Sequence, residues 1–230
     1  MMKHVCIAFL LVAHLHAMAQ SEAKTYDLKK GQVLDLICLS QKQDTKETLQ
    51  RFFQTAIPFA QENSYTPLNG WKVLEDPTQG NFTPQSLILG RWASIQQRAR
   101  FTEQIEQKVP DFHEMRRAIW SAFYLTYWEV PEDLSFAIDP EKVNVVTAYW
   151  EGEAALFSTF KEQWVANARK SGGTCLLELT GGSSPFGYHY NPDYLVVTAW
   201  ESREAFETFK KHNLEMDHSG VKHVNQFIVQ

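Results

Sequence analysis

Apolar positions along the chain follow two periods, and the order of these periods predicts the elements. Residues 33–39 form a nearly continuous apolar run, which is typical of a strand covered on both faces. Leu49, Phe52 and Ala56 then recur at helical spacing and predict an amphipathic helix. Two strands, a second helix and a closing strand are predicted next, at residues 71–74, 86–92, 94–107 and 121–128. The order β-α-β-β-α-β is that of a ferredoxin-like unit.

The second half of the chain repeats this order. Its strands and helices are predicted at residues 143–150, 157–168, 174–179, 194–200, 202–209 and 224–229. Five residues of the first half precede identical residues of the second half by one constant offset, namely Pro84, Leu87, Trp92, Ser94 and Phe101. Such a repeat indicates a duplicated domain. We therefore predict ferredoxin-like domains over residues 20–129 and 143–230, joined by a linker at residues 130–142.

The start of the chain has the pattern of a targeting segment. A short basic start precedes an apolar run at residues 5–12 and a small-residue motif at residues 17–19. This order is typical of a secretory signal peptide, so we predict a signal peptide over residues 1–19 and a periplasmic or secreted protein. The apolar run is too short to span a membrane, and no membrane span is expected after cleavage.

The net charge and the cysteines limit which partners, cross-links and metal sites the sequence predicts. The net charge is −5 at pH 7 and no cluster of lysine and arginine is present, so nucleic acid is not an expected partner. A small apolar or aromatic molecule is the expected partner, and the sequence leaves open whether the chain also forms a homo-oligomer. Cys38 and Cys175 lie one in each half, and either a disulfide or two buried thiols is compatible with the sequence. No short-spaced metal-binding motif is present, so no metal site is predicted.

One loop is richer in turn residues and aromatic rings than its surroundings. Residues 181–191 (GGSSPFGYHYN) interleave glycine with Phe186 and Tyr188. Two interpretations are open. The loop either folds over the mouth of a pocket, or forms a hairpin whose rings cover exposed core.

Two stretches of the second half resemble a known family. Residues 171–179 (SGGTCLLEL) and 197–206 (VTAWESREAF), with His212 and His218 downstream, are similar to antibiotic-biosynthesis-monooxygenase-like domains. The resemblance implies a dimeric α+β barrel, in which two ferredoxin-like sheets close on each other with the helices outside. Here the tandem halves would build the barrel within one chain. Trp92 and Trp200 are then expected to face the barrel interior, either lining a cavity or filling the core.

The same resemblance implies a reaction and a set of residues. The related oxygenases act without metal, flavin or other cofactor, because the substrate carbanion itself reacts with dioxygen. The predicted roles are His218 as base, Asn144 as orienting group and Trp200 as pocket wall. Weaker counterparts in the first half are His113, Asp35 and Trp92, and Tyr188 is a further substrate-binding candidate. The predicted function is binding or oxidation of a small apolar or aromatic molecule, and in the case of oxidation the protein would be a cofactor-independent monooxygenase. The alternative is a non-catalytic periplasmic small-molecule-binding or stress-associated protein, because one fold hosts unrelated functions.

Overall fold

A computed structural model describes residues 22–230, so the predicted signal peptide lies outside the described residues. The helices of this part are α1 (Lys46–Glu62), α2 (Ile95–Lys108), α3 (Phe112–Ile119), α4 (Ala154–Lys170) and α5 (Arg203–Leu214). The strands are β1 (Lys24–Leu28), β2 (Val33–Gln41), β3 (Thr66–Pro67), β4 (Trp71–Lys72), β5 (Ser86–Trp92), β6 (Trp120–Glu129), β7 (Leu134–Ile138), β8 (Val143–Glu151), β9 (Thr174–Thr180), β10 (Tyr194–Trp200) and β11 (Val221–Val229). No helix within residues 22–230 has the length and apolarity needed to cross a membrane.

Two larger antiparallel sheets have the same strand connectivity. The first sheet has the order β3-β5-β2-β6, with β4 also paired to β5, and the second sheet has the order β11-β8-β10-β9. In the first sheet β2 lies between β5 and β6. In the second sheet β8 lies in the same way between β10 and β11. The predicted helix starts are confirmed, because the Ser94 and Ser202 hydroxyls accept hydrogen bonds from the amides of Gln97 and Ala205.

The two sheets pack face to face and share one apolar cluster. Its members come from both sheets and include Leu34, Leu36, Leu87, Leu89, Val146, Ala148, Leu195, Val197 and Phe227. Each sheet buries its opposite face against its own helices, α1 to α3 in the first half and α4 and α5 in the second. The sheets therefore form the middle of the protein and the helices form its outer layers.

The edges of the two sheets are joined on both sides. Beyond β4, Val73 forms a bridge to Val229 and the Leu74 amide donates to the Ile228 carbonyl at 3.0 Å. On the other side, Tyr127 of β6 and Ser183 exchange two backbone hydrogen bonds of 2.9 Å. These contacts satisfy backbone groups that would otherwise form open sheet edges.

The predicted linker contains a strand that the sequence pattern did not indicate. Within residues 130–142, β7 pairs with β1 as a separate two-stranded sheet. The Tyr26 ring of β1 stacks on the Phe136 ring of β7 with 4.8 Å between centroids, and the Tyr26 hydroxyl accepts a hydrogen bond from the Trp71 indole at 2.7 Å. Five residues with polar neighbours are too short a run to distinguish a strand from a loop by periodicity alone.

The prediction that Trp92 and Trp200 face the barrel interior is wrong. Trp200 stacks on Phe209 of α5 with 4.8 Å between centroids, and Trp92 packs at 5.0 Å on Phe101 of α2. Both indoles therefore lie on the helix-facing side of their sheets. Both faces of these strands are apolar, so alternation assigns residues to two sides without indicating which side the sheets share.

Cys38 and Cys175 are free thiols. Cys38 lies in the cluster between the sheets, whereas Cys175 packs against the cluster on the helix-facing side of the second sheet. A disulfide would require both sulfur atoms on one side of that sheet, so the structure has two free thiols, of which Cys38 is buried as predicted and Cys175 is only partly buried.

Candidate functional site

A cavity of about 560 Å³ lies between the first sheet and its helices. Aliphatic and aromatic side chains from both layers make up most of its wall, among them Ile37, Ile88, Leu125, Phe52, Ile57 and Phe101. The volume is within the range of small-molecule sites, and a mainly apolar wall with a few polar groups is typical of them. We treat this cavity as the candidate site.

The first half has this cavity because it carries small residues where the second half carries large ones. Helices α1 and α4 have equal length, 17 residues, and Ala56 occupies the position in α1 that Trp164 occupies in α4. By strand register, Ser86 of β5 stands where Tyr194 stands in β10. Trp164 and Tyr194 are almost fully buried in the core of the second half. The corresponding space in the first half is left open, and Ala56 and Ser86 line it.

A third position with a smaller residue in the first half is Leu39, whose counterpart is Tyr149. Leu39 pairs with Ser86 in the first sheet as Tyr149 pairs with Tyr194 in the second sheet. Leu39 also lines the cavity. Comparing the two halves residue by residue would have revealed these exchanges in the sequence. The residues that are identical at the constant offset are instead positions that the two halves share.

A buried ion pair lies at the sheet side of the cavity. The Arg98 Nε donates to Asp35 Oδ1 at 2.7 Å, and the Trp92 indole donates to Asp35 Oδ2 at 2.9 Å. The Arg98 guanidinium also lies 4.0 Å from the centroid of the Tyr127 ring. Burial raises the pKa of the Asp35 carboxyl, while Arg98 and Trp92 act in the opposite direction. Arg98 is thus a cation whose charge is already neutralised within the protein.

A second arginine on the cavity wall has no such partner. Arg116 is 5% exposed, and its Nε has no hydrogen-bond partner within residues 22–230. Its guanidinium lies over the Phe123 ring, with 3.7 Å from Cζ to the centroid. Burial lowers the pKa of Arg116 to about 9, and the neighbouring Arg117 adds to this shift. The side chain remains cationic at neutral pH.

The loop at residues 181–191 reaches across from the second half to this end of the cavity. Phe186 lines the cavity wall and forms an edge-to-face contact of 4.9 Å with His113. Tyr188 packs on Phe123 at 6.0 Å. Phe186 and Tyr188 therefore fold over the pocket, whereas Tyr190 of the same loop is buried in the cluster between the sheets, so each interpretation describes part of the loop.

Four predicted site residues lie at or near the cavity, and Asp35 lines it as the partner of Arg98. Trp92 lines it and donates to Asp35 as described above. His113 is half-buried beside it, with Nε2 2.9 Å from Glu106 Oε1 and Nδ1 3.4 Å from an Arg116 nitrogen. Because arginine only donates, Nδ1 accepts from Arg116 and Nε2 carries the proton that Glu106 accepts. Tyr188 belongs to the covering loop.

The other three predicted residues lie in the second half and are not brought together. The His218 Nδ1 lies 2.8 Å from the Met216 carbonyl oxygen, and the His218 ring packs on Phe160. The Asn144 amide donates to the Asp139 carbonyl oxygen at 2.7 Å. The Trp200 indole donates to its own strand neighbour Thr198 at 3.0 Å. No hydrogen bond within residues 22–230 links these three side chains, and their catalytic and binding roles stay predictions.

The suggested equivalence of Asn144 and Asp35 is wrong by one position. Asn144 pairs with Ala199, one residue before Trp200, whereas Asp35 pairs with Gly90, two residues before Trp92. The counterpart of Asn144 is therefore Leu34. A shift of one residue along a strand moves a side chain to the opposite face of the sheet.

A smaller cavity of about 250 Å³ lies where the halves meet, with His189, His223 and Trp150 among its lining residues. Within residues 22–230, no group of three or more histidine, cysteine, aspartate or glutamate side chains could hold a metal ion.

The antiparallel sheets and outer helices make this a mixed α+β protein. Searches with the sequence against known protein families and against curated proteins give no match. Similar solved structures include two mutant forms of chlorite dismutase from Candidatus Nitrospira defluvii. Each has a TM-score of 0.50 and 6% identity over 88% of this chain, covering 93% of one mutant chain and 92% of the other. An anthrone oxidase-like protein has a TM-score of 0.45 and 14% identity, over 89% of this chain and 94% of that chain. These neighbours have a dimeric α+β barrel fold, and at such identities the similarity concerns fold alone.

Replacing Arg98 with methionine should leave the Asp35 carboxylate buried without its cation. We expect the free energy of unfolding to fall by about 3–5 kcal/mol at pH 7, the usual cost of breaking a buried pair. The pKa of Asp35 rises further in Arg98→Met. The buried carboxyl of the variant therefore costs no stability below its unfolded-state pKa of about 3.9, where it is protonated in both states. The cost grows as pH rises toward the folded-state pKa of Asp35. The deficit relative to wild type, measured by urea unfolding, should be larger at pH 7 than at pH 5.

The matched control is Arg100→Met, because Arg100 is an exposed arginine of the same helix. It should unfold like wild type. The double variant Asp35→Leu with Arg98→Met removes both charges and should recover most of the loss. An Arg98→Met deficit that is equal at both pH values would contradict this account of the pair.

Proposed function

We propose that the two halves are duplicated ferredoxin-like domains, at residues 20–129 and 143–230, packed as an intrachain dimeric α+β barrel. The equal strand connectivity, the shared apolar face and the joined edges support this arrangement. We also propose that the protein is exported, on the basis of the signal-peptide pattern at residues 1–19.

We infer that the first half binds a small apolar or aromatic molecule. The observation that carries this proposal is the 560 Å³ cavity and its apolar wall. The second half of the same fold fills the equivalent space with Trp164 and Tyr194, so the architecture itself does not require a cavity there. An unfilled apolar space of this size forgoes packing contacts, and binding of a ligand would restore them.

The variant Ala56→Trp should fill the cavity as Trp164 fills the second half. We expect wild type to increase the fluorescence of the neutral probe N-phenyl-1-naphthylamine, and Ala56→Trp to bind it at least ~10-fold more weakly, a loss of about 1.4 kcal/mol. The control is Ala155→Trp, because Ala155 is exposed on α4. Wild-type affinity in Ala56→Trp, or no probe binding by folded wild type, would contradict the proposal.

A second candidate function is cofactor-independent oxidation of the bound molecule. The observation that favours it is the Asp35 carboxyl on the cavity wall, because burial raises its pKa and makes its carboxylate a better proton acceptor. In such a reaction the base takes a proton from a C–H bond and the carbanion adds to dioxygen. Return of the proton and loss of water from the peroxide leave a carbonyl group.

Oxygen uptake over a panel of anthrones and quinols tests this second candidate. Uptake should fall by about 100-fold in Asp35→Asn, the range expected for loss of a general base, and His218→Ala tests the base predicted from the sequence in the same assay. Circular dichroism checks that both variants are folded. Uptake that survives in Asp35→Asn would exclude this base, and uptake lost only in His218→Ala would assign the reaction to the second half.

A further inference from the structure

We propose that the ligand of the first-half cavity is an apolar or aromatic carboxylic acid, bound as its anion with the carboxylate on Arg116. This inference rests on the proposed binding function and specifies the chemical class of the ligand. The observations that carry it are the position of Arg116 on the cavity wall, its burial, and the absence of a counter-charge within residues 22–230.

The surroundings of Arg116 are aromatic. Its guanidinium carbon lies 3.7 Å from the ring centroid of Phe123, 5.2 Å from that of Tyr188, 5.3 Å from that of Phe112 and 5.4 Å from that of Phe186. We call these four rings the Arg116 cage. They hold the guanidinium in place by cation–π contact and leave its N–H groups with few acceptors.

The polar partners of Arg116 are too few for a buried cation. One nitrogen lies 3.4 Å from His113 Nδ1, the Nε has no partner, and no ion pair within residues 22–230 includes Arg116. Burial of a cation costs several kcal/mol unless a counter-charge and hydrogen bonds compensate. Cation–π contacts with the cage offset only part of this cost. A bound anion would supply the missing charge and acceptor together.

The charges of the cavity indicate a ligand with a single negative charge. Arg98 is neutralised by Asp35 at 2.7 Å, so Arg116 is the one cation of the described cavity wall without a carboxylate partner. A carboxylate has two oxygens that match two N–H groups of a guanidinium. A doubly charged phosphate would leave one charge unneutralised in an apolar wall. The aliphatic and aromatic side chains of the remaining wall suit the hydrocarbon part of the acid.

The cage is assembled from both halves of the chain. Phe112 and Phe123 belong to α3 and β6, whereas Phe186 and Tyr188 belong to the loop at residues 181–191. A carboxylate on Arg116 would therefore lie beneath a loop of the second half. Water would be excluded from the ion pair, which strengthens it relative to an exposed pair.

The test compares an acid with its neutral amide. Binding of 2-naphthoate and of 2-naphthamide is measured by isothermal titration calorimetry at pH 7 for wild type, Arg116→Gln, Arg116→Lys and Arg117→Gln. Arg117 is the matched control, because it is the adjacent arginine and is exposed. Near-UV circular dichroism confirms that each variant keeps its packed core.

Wild type should bind 2-naphthoate at least ~10-fold more tightly than 2-naphthamide, as expected for one charge-assisted bidentate contact. In Arg116→Gln the preference for the acid should be lost while affinity for the amide stays within about 2-fold. Arg116→Lys keeps the charge and should retain a smaller preference, and Arg117→Gln should behave like wild type. If Arg116→Gln does not fold, wild type and Arg116→Lys still decide the question.

Equal affinities for acid and amide in wild type would overturn the carboxylate assignment and leave the proposed apolar binding standing. An acid preference that persists in Arg116→Gln would also overturn it. Failure of wild type to bind either compound, together with no binding of the neutral probe, would instead overturn the binding function on which this inference rests.

Discussion

The apolar face that the two sheets share determines the rest of the structure. Leucine, valine and alanine side chains from both sheets meet there and are almost completely buried. A sheet with helices on one side leaves its other face uncovered, and each sheet here covers that face of the other. Backbone bridges at both edges then join the sheets, and Gln226 adds side-chain contacts by donating to Thr147 and accepting from Thr78, each at 2.8 Å.

Because the core between the sheets is packed, the larger cavity lies on the outer, helix-facing side of the first sheet, and the smaller cavity of about 250 Å³ lies where the halves meet. In the second half that side is also filled, by Trp164 and Tyr194 among others. In the first half Ala56 and Ser86 occupy the same places and leave a cavity. The two halves thus differ in side-chain volume while keeping one connectivity, and the loop at residues 181–191 couples them by carrying Phe186 and Tyr188 to Arg116.

The sequence predicted the order of elements well, because periodicity and capping are local properties. The Ser94 and Ser202 caps illustrate this, since each lies at the predicted helix start. The orientation of Trp92 and Trp200 could not be predicted, because strands buried on both faces do not indicate which face meets the partner sheet. The strand β7 was missed for lack of a long enough alternation.

The candidate site was predicted less well than the fold. The family resemblance directed attention to His218 and Asn144 in the second half, where the described structure has a filled core. The burial of Arg116 and the lack of a partner for its Nε depend on tertiary packing that no sequence spacing reveals. The exchange of Ala56 for Trp164 was visible in the repeat, but it is a difference between the halves, and differences emerge only after the equivalent positions are aligned.

Xenon binding in crystals tests the central claim most directly, because xenon occupies apolar cavities without requiring hydrogen bonds. The account predicts xenon density between the first sheet and helices α1 to α3, beside Ala56 and Ile88, with none between the two sheets. Density between the sheets, or an empty first-half site together with an occupied second half, would contradict it.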